Sequence, residues 1–278
     1  LGEQQKAIDA CQEAEQIYSA AGDRGAEADT LRLLGDVVAD SDVAEAMRSY
    51  RQALTIQREI GHLSGQAIVL NQIAIQYSNR GDHAAAANFF EQALAVFRRL
   101  GDQVTATGMM INISAELSSQ GHLDQARKLY LDTIQAAIAL GNKDIQGLAT
   151  YDVALIDQLQ GDLDKAQMKF QQASKLFEAV EDKNQVSTAI NSLGEIAMAK
   201  GDFAAAQQFY ETALGIRQST QQRVPAAESQ LDLALLSFEK GDPPVQVENS
   251  VRQLVEVFHS GKSVNDEATA EALLARIS

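Results

Sequence analysis

The chain has 278 residues, 45% of them hydrophobic, and it contains no apolar run near the length of about 18 residues that a membrane-spanning helix needs. It carries 38 acidic residues against 23 basic ones, and the resulting formal charge of −15 repels nucleic-acid phosphates and anionic membrane surfaces. We therefore expect neither a nucleic acid nor a membrane as a partner.

Glycine-containing turns recur every 40 residues along the chain, in two series. The series are Gly61, Gly101 and Gly141, and Gly81, Gly121, Gly161, Gly201 and Gly241. The segments between them show apolar residues at helical spacing, and few prolines interrupt them. Each 40-residue unit is therefore predicted to be a pair of antiparallel helices, A and then B.

In chain order, the predicted units are a half repeat at 2–21, repeats at 22–60, 61–100, 101–140, 141–180, 181–220 and 221–261, and a terminal helix at 263–277. This layout predicts about 14 helices in a single domain covering 1–278, because no linker rich in Pro, Gly or Ser interrupts the series. The first segment resembles the middle of a repeat and the chain begins with Leu1, so we expect a fragment of a larger protein.

Gly-Asp dipeptides at four of the turns are predicted to end helix A and begin helix B. Glycine accepts the left-handed conformation that ends a helix, and the following aspartate is placed to cap the next one. These dipeptides are Gly81-Asp82, Gly161-Asp162, Gly201-Asp202 and Gly241-Asp242. In the last full repeat, Pro243 and Pro244 follow at the first turn of helix B, where proline is tolerated.

Columns of small and aromatic residues mark one face of helix B. They are Ala46, Ala86, Ala126, Ala166 and Ala206, then Tyr50, Phe90, Tyr130, Phe170 and Tyr210, then Ala53, Ala93, Thr133, Ala173 and Ala213. Spacings of four and three residues place them on one side of a helix. In helix A, an aliphatic residue precedes a small one, as at Leu34-Gly35 and Leu193-Gly194, which allows helix B to approach closely.

These columns resemble the tetratricopeptide repeat (TPR) signature over essentially the whole chain. The resemblance implies an all-α, right-handed α-α superhelical solenoid of antiparallel helix pairs. The usual TPR period is about 34 residues, so the 40-residue period is similar to the longer repeats of kinesin light chains, of Pins and LGN scaffolds and of bacterial MalT-like domains. HEAT and armadillo arrays also have periods near 40, but the recurring Ala, aromatic, Ala triplet favours the TPR family.

The resemblance implies that the A helices line the concave face and that ligands bind along it. The predicted protein- or peptide-binding residues are Asn71, Gln72, Ile75, Asn112, Tyr151, Asp152, Leu155, Asn191, Glu195, Asp232 and Leu235. Amide side chains both donate and accept, so a ladder of them suits the backbone of an extended peptide. The alternative is that these polar residues are solvated or bridge neighbouring helices. The acidic members predict a basic or neutral partner.

We find no motif for a catalytic site, a cofactor or a metal, and we expect no enzyme. Cys11 has no second cysteine for a disulfide. The four histidines lie at or near turns without the spacing of a zinc site, and we interpret them as exposed loop residues. They are His62, His83, His122 and His259.

The predicted function is that of a non-catalytic protein- or peptide-binding scaffold within a larger signalling or regulatory protein, and a cytoplasmic location is expected. The alternative is a sensor domain that closes around a small molecule or a signalling peptide and controls an attached effector domain. A third interpretation is self-association through the irregular last repeat or the open first half repeat.

Overall fold

A computed structural model describes residues 2–277, which form fourteen α-helices and no strand. The helices are α1 (Gly2–Ala21), α2 (Arg24–Val38), α3 (Val43–Glu59), α4 (Leu63–Asn79), α5 (His83–Leu100), α6 (Gln103–Ser119), α7 (Leu123–Leu140), α8 (Lys143–Leu159), α9 (Leu163–Glu178), α10 (Lys183–Ala199), α11 (Phe203–Ser219), α12 (Arg223–Glu239), α13 (Pro244–Gly261) and α14 (Val264–Ile277). The predicted all-α fold of about 14 helices is confirmed. The even-numbered helices α2 to α12 are the A helices, and the odd-numbered ones are the B helices.

The described residues fall into two compact units, which divide between Asn142 and Lys143. The first unit contains α1 to α7 and the second contains α8 to α14. Within each unit, every helix packs against the next one along the chain. Stability in such an array is approximately a sum of contributions from single repeats and from their interfaces.

The predicted columns on the B helices form the interior. All five alanines of the first column are fully buried, from Ala46 to Ala206. The aromatic residues four positions later are at most 3% exposed, and Phe170 is completely buried. In the last full repeat, Val247, Val251 and Leu254 take the place of the Ala, aromatic and Ala residues, one position later than the 40-residue period would put them, and all three are buried.

The small residue of helix A makes room for the aromatic ring of helix B. A Cβ atom on Gly35 would lie 2.5 Å from a ring carbon of Tyr50, and one on Gly194 would lie 2.5 Å from a ring carbon of Tyr210. Real Cβ atoms do not approach other atoms so closely, so glycine is the residue that permits this crossing. The close approach inferred from the Leu-Gly pairs is therefore confirmed at both sites.

The glycine of each Gly-Asp dipeptide adopts the predicted left-handed conformation at all four turns, with φ between 75° and 82°, but the aspartate caps helix B at only two of them. Asp82 accepts a hydrogen bond from the backbone N–H of Ala85, and Asp202 accepts one from that of Ala205. The carboxylate of Asp162 makes no such bond and instead accepts from Lys165 at 2.6 Å. At the fourth turn the capping position belongs to Pro243, because the two prolines shift the start of α13 by one residue.

At each turn from a B helix to the next A helix, one residue adopts the left-handed backbone conformation, and the type of that residue differs between the two units. In the first unit this position is held by Gly22, Gly61 and Gly101, with φ between 69° and 75°. In the second unit Glu181 and Gln221 have a φ of 57° at the equivalent position. A residue with a Cβ atom is disfavoured in this conformation by about 1–2 kcal/mol.

Replacement of Gly194 by alanine is expected to lower the free energy of unfolding by about 1–3 kcal/mol, because Tyr210 leaves no space for the added Cβ atom. Gly215 is the matched control, since it lies inside α11 with no atom within 4 Å of its Cβ position. Gly215→Ala is expected to stabilise the chain by about 0.5–1 kcal/mol. Urea unfolding followed by circular dichroism measures both, and equal effects would contradict the close helix crossing.

Replacement of Glu181 by glycine is expected to raise the free energy of unfolding by about 0.5–1 kcal/mol. Relief of the left-handed conformation exceeds the extra freedom that glycine gives to the unfolded chain. Glu181→Gln is the control, because it removes the charge and keeps the Cβ atom. If the glycine and glutamine variants have the same unfolding midpoint, the conformational explanation is wrong.

Candidate functional site on the A helices

The predicted binding residues lie on A helices in both units. Asn71, Gln72 and Ile75 are on α4 and Asn112 is on α6, all in the first unit. The other seven are on α8, α10 and α12 in the second unit. Ten of the eleven are partly buried, whereas Asn191 is only 6% exposed. The structure therefore presents two separate groups, which are described in turn.

In the first unit, Asp36 joins three helices. One carboxylate oxygen accepts hydrogen bonds from the Tyr50 hydroxyl and from the Gln72 amide, both at 2.8 Å. The other accepts from the Arg32 guanidinium at 2.6 Å. Burial, followed by the bond to Asp36, raises the pKa of Tyr50, so the phenol stays a donor. Gln72 thus bridges neighbouring A helices, which is the alternative that the sequence left open.

Two other amides in the first unit have unused capacity. The Asn112 side chain makes no hydrogen bond with the described residues, and the buried Oδ1 of Asn71 has no partner there. Such an unsatisfied acceptor costs about 1–3 kcal/mol. Because Oδ1 is buried, the Asn71 side chain would have to turn outward to accept a hydrogen bond from a ligand.

Exposed apolar residues lie on the same three A helices. Leu33 on α2, Ile68 on α4 and Val104 on α6 are 46%, 45% and 48% exposed. Asp36 and Gln72 lie on adjacent A helices, are 36 residues apart and are joined by a hydrogen bond. Leu33, Ile68 and Val104 are separated by 35 and 36 residues, so the same helix register places them next to one another. We call Leu33, Ile68, Asn71, Gln72, Ile75, Val104 and Asn112 the first A face. The sequence analysis predicted Ile75 but missed Leu33, Ile68 and Val104, although Leu33 occupies the column in which later repeats carry polar residues.

In the second unit, Asn191 lies inside a hydrogen-bonded network. Its amide nitrogen donates to Asp232 at 2.8 Å. Its oxygen accepts from the Ser229 hydroxyl at 2.8 Å and from the Arg217 guanidinium at 3.3 Å. The structure therefore makes Asn191 an interior link between α10, α11 and α12. This corrects its expected place among exposed amides.

The equivalent position in the first unit explains why Asn71 differs. Asn71 precedes Asn191 by three 40-residue periods. The residues that correspond to Arg217 and Ser229 are Phe97 and Met109, neither of which has a side-chain N–H or O–H group. Asn71 therefore lacks the donors that satisfy its counterpart.

Most other predicted residues of the second unit also contact neighbouring A helices or the core. The Tyr151 hydroxyl lies 3.0 Å from that of Ser192, and the Gln158 amide donates to Glu195 at 3.2 Å. Leu155 and Leu235 are half-buried and pack against core clusters. Asp152 is half-buried on α8. This face is largely occupied by its own internal contacts.

Burial raises the pKa of Asp232 to about 6, and the hydrogen bond from Asn191 opposes the shift. The nearby carboxylates of Glu195 and Glu228 raise it further, while Arg217 lowers it. Burial also lowers the pKa of Arg217, which is only 4% exposed. The network thus holds a buried cation beside a carboxyl group that is protonated more readily than usual.

One histidine occupies a more structured position than the sequence predicts. His83, at the start of α5, is half-buried, and its Nδ1 lies 2.8 Å from a carboxylate oxygen of Glu116, which is 5% exposed. The interpretation of His83 as an exposed loop residue is therefore corrected. His62 is exposed in the turn before α4, where its two ring nitrogens contact Gln57 and Ser64. Within residues 2–277, no three His, Cys, Asp or Glu side chains are grouped to hold a metal ion.

Two family models match the chain. The model described as Tetratricopeptide repeat matches residues 146–219, and the model described as Soluble NSF attachment protein, SNAP, matches residues 2–143, half of the chain. The fold and these matches define a helical-hairpin repeat protein. The chain belongs to the family that the Soluble NSF attachment protein model describes, and it carries tetratricopeptide repeats at residues 146–219. No helix among the described residues is long and apolar enough to cross a membrane.

Solved structures share this fold at low sequence identity. A signal transduction ATPase with numerous domains from Pyrococcus horikoshii, which has a tetratricopeptide repeat sensor, is 17% identical with a TM-score of 0.74, over 99% of this chain and 42% of that one. A Rap protein in complex with Competence and Sporulation Factor is 17% identical, with a TM-score of 0.64 and coverages of 91% and 74%. BtubC from P. vanneervenii is 19% identical, with a TM-score of 0.67 and coverages of 78% and 92%. No curated protein sequence matches the chain significantly.

Replacement of Asp232 by asparagine is expected to change the pH dependence of stability. The pKa of Asp232 is raised in the folded chain from an ordinary value of 3.8 to about 6, so its contribution to stability is greatest at low pH and is lost as the pH rises through about 6. Asparagine does not titrate, so the stability of the variant relative to wild type is expected to rise between about pH 4 and pH 7. Urea unfolding at several pH values measures it, and a relative stability that falls over this range would contradict the assignment.

Proposed function

We propose that the chain is a non-catalytic module of a larger signalling or regulatory protein and that it binds an extended peptide or protein segment along the first A face. The observation that carries the proposal is the presence of exposed apolar side chains on three successive A helices, two of which, α4 and α6, also carry an amide with unused hydrogen-bonding capacity. Asn71 and Asn112 supply the amides, and Leu33, Ile68 and Val104 supply the apolar contacts. Exposed apolar residues beside polar ones are typical of a contact surface.

The spacing of the A helices suits an extended ligand. Packed helices lie about 8–10 Å apart, and an extended chain advances about 3.3 Å per residue. Each successive A helix would therefore meet about every third residue of the ligand. Asparagine side chains would hold its backbone, and the apolar residues would contact its side chains.

Charge favours a basic or neutral segment. The chain carries a formal charge of −15, which attracts cationic partners at long range. Next to the first A face, the carboxylate of Asp36, which accepts a hydrogen bond from Gln72, is already paired with Arg32. We therefore propose that the negative charge of the chain speeds its first encounter with a cationic segment. The amides and apolar residues of the first A face then hold the bound segment.

A sensor domain remains the second candidate. The printed names of two structural neighbours support it, since one has a tetratricopeptide repeat sensor and the other is in complex with Competence and Sporulation Factor. In the second unit, hydrogen bonds between A helices such as Tyr151 to Ser192 offer contacts that ligand binding could break or re-form. A sensor is expected to become more compact when its ligand binds, and small-angle scattering detects this change.

The double variant Asn71→Ala, Asn112→Ala is expected to weaken binding of 12-residue peptides, selected from a random displayed library against the wild-type chain, by about tenfold or more. Each lost hydrogen bond to a ligand costs on the order of 1 kcal/mol. Fluorescence anisotropy with labelled peptides measures the affinity. The variant is expected to be at least as stable as wild type, since the Asn112 side chain makes no hydrogen bond with the described residues and the buried Asn71 Oδ1 has no partner to lose.

The matched control is Gln171→Ala, Gln172→Ala, which removes two exposed amides from the B helix α9. It is expected to leave the affinity unchanged. Selected peptides that bind the first double variant as tightly as wild type, or that lose affinity for the control, would place the site elsewhere.

A further inference from the structure

In each repeat, one residue near the end of helix A and one near the start of helix B occupy equivalent positions on either side of the turn that joins the helices. The five repeats before the last full one carry different pairs of residues there. These pairs are Val38 and Ser49, Tyr77 and Phe89, Leu117 and Leu129, Asp157 and Lys169, and Ala197 and Phe209.

Side chains close the space between the two helices in these five repeats. The rings of Tyr77 and Phe89 stack with their centroids 5.4 Å apart. Phe209 packs against the core cluster that contains Ala197. Ser49, which is the smallest helix B residue of the five, is 1% exposed. In each of these three repeats, the position on helix B is therefore packed against its surroundings.

The last full repeat carries two serines at these positions, Ser237 on α12 and Ser250 on α13. Ser250 is exposed, and each hydroxyl donates its hydrogen bond to a group other than the opposite serine. A cleft of about 400 Å³ lies here between α12 and α13, and both serines line it. Ligand sites occupy about 300–1,000 Å³. The last repeat thus leaves open a space that larger side chains, such as Phe89 and Phe209, fill elsewhere.

No charged residue lines the cleft, although 22% of the chain is charged. The charged side chains of the adjoining turn make hydrogen bonds within the protein. Asp242 accepts one from Ser237, and Lys240 donates one to Gln207 at 3.2 Å. An ionised ligand would leave water for a cleft without a counter-charge, which is costly. The cleft therefore favours a neutral ligand.

Apolar and hydrogen-bonding groups share the lining of the cleft. Val247 and Leu254 belong to its apolar part and are 3% and 6% exposed. The side-chain amides of Gln230, Gln246 and Gln253 also line it and make no hydrogen bond with the described residues. Both serine hydroxyls already donate within the protein, so their oxygens remain available as acceptors. A ligand that combines an apolar body with a hydrogen-bond donor matches this lining.

We propose that this cleft binds a small neutral aromatic molecule that carries a hydrogen-bond donor, such as a phenolic hydroxyl group. The ring takes the place that Phe89 or Phe209 fills in other repeats and packs on Val247 and Leu254. The two serine oxygens accept from the donor, and the glutamine amides bind the other polar groups of the ligand. The cleft lies in the second unit and shares no residue with the first A face, so this proposal does not depend on the function proposed there.

The test is a titration of the chain with ¹³C-labelled valine and leucine methyl groups, since a bound aromatic ring shifts nearby methyl signals. The probes, at constant pH and ionic strength, are 4-hydroxybenzamide, 4-hydroxybenzoate, in which a carboxylate replaces the amide, and acetamide, which has no ring. Saturable shifts of the Val247 and Leu254 signals are expected with 4-hydroxybenzamide, with about tenfold or more weaker binding of the carboxylate and no shift with acetamide. Val247→Ile and Leu254→Ile identify the two signals by their loss.

Ser250→Phe introduces the residue that α5 and α11 carry at this position. It is expected to fill the cleft and to weaken binding of 4-hydroxybenzamide by about tenfold or more. Ser260→Phe is the matched control, because Ser260 is exposed on the same helix outside the cleft lining. It is expected to leave the affinity unchanged.

The double variant Gln246→Ala, Gln253→Ala tests the cleft without adding bulk, and both side chains are exposed. It is expected to weaken binding by about five- to tenfold, whereas Gln171→Ala, Gln172→Ala on α9 is expected to have no effect. The proposal is overturned if 4-hydroxybenzamide gives no saturable shift, if the carboxylate binds as tightly, or if acetamide gives the same shifts. It is also overturned if either cleft variant weakens binding no more than its control does.

Discussion

Each repeat depends on the space that a small residue of helix A leaves for an aromatic ring of helix B. Where the small residue is Gly35 or Gly194, the ring of Tyr50 or Tyr210 occupies the position that a Cβ atom would take. This contact sets how closely the two helices cross, and its recurrence gives successive A helices similar positions. The A-helix faces that carry the candidate site therefore follow from packing on the opposite, buried side of the same helices.

The fold was predictable because each structural position is repeated. Five alanines and five aromatic residues at one spacing show which side of helix B is buried, and a single substitution does not obscure the column. Conformations of individual turns were less accessible. Glu181 and Gln221 adopt left-handed conformations without glycine, since the surrounding helices determine the turn and override the preference of one residue.

Whether a polar side chain on an A helix has a hydrogen-bond partner could not be predicted from the residues at the equivalent positions of other repeats. Asn71 and Asn191 share a column, but their partners lie on other helices, 26 and 38 residues further along. Arg217 and Ser229 satisfy the second asparagine, whereas the matching residues of the first unit are apolar. A second pair of equivalent positions also differs between the units. Tyr77 stacks on Phe89 in the first unit, whereas Asp157 and Lys169, two repeats later, form an ion pair at the same positions. Such pairs depend on side-chain contacts that the repeat period does not encode.

The two units consequently differ in what they offer a ligand. The second unit uses its polar residues to connect its own helices, and the hydrogen bonds of Asn191 to Asp232, Ser229 and Arg217 favour one arrangement of α10, α11 and α12. The first unit leaves amide groups unfilled beside apolar side chains that water surrounds. Binding at the proposed site, the first A face, would supply missing contacts, whereas binding at the Asn191 network would have to break existing ones.

The central claim is that the unfilled amides of the first A face contact the bound segment. The most direct measurement is the ¹⁵N–¹H spectrum of asparagine side chains during titration with a selected peptide. We expect the Asn71 and Asn112 signals to shift to saturation with the same dissociation constant for the peptide, while the Asn191 signal does not shift. Saturating shifts at Asn191, with Asn71 and Asn112 unchanged, would contradict it.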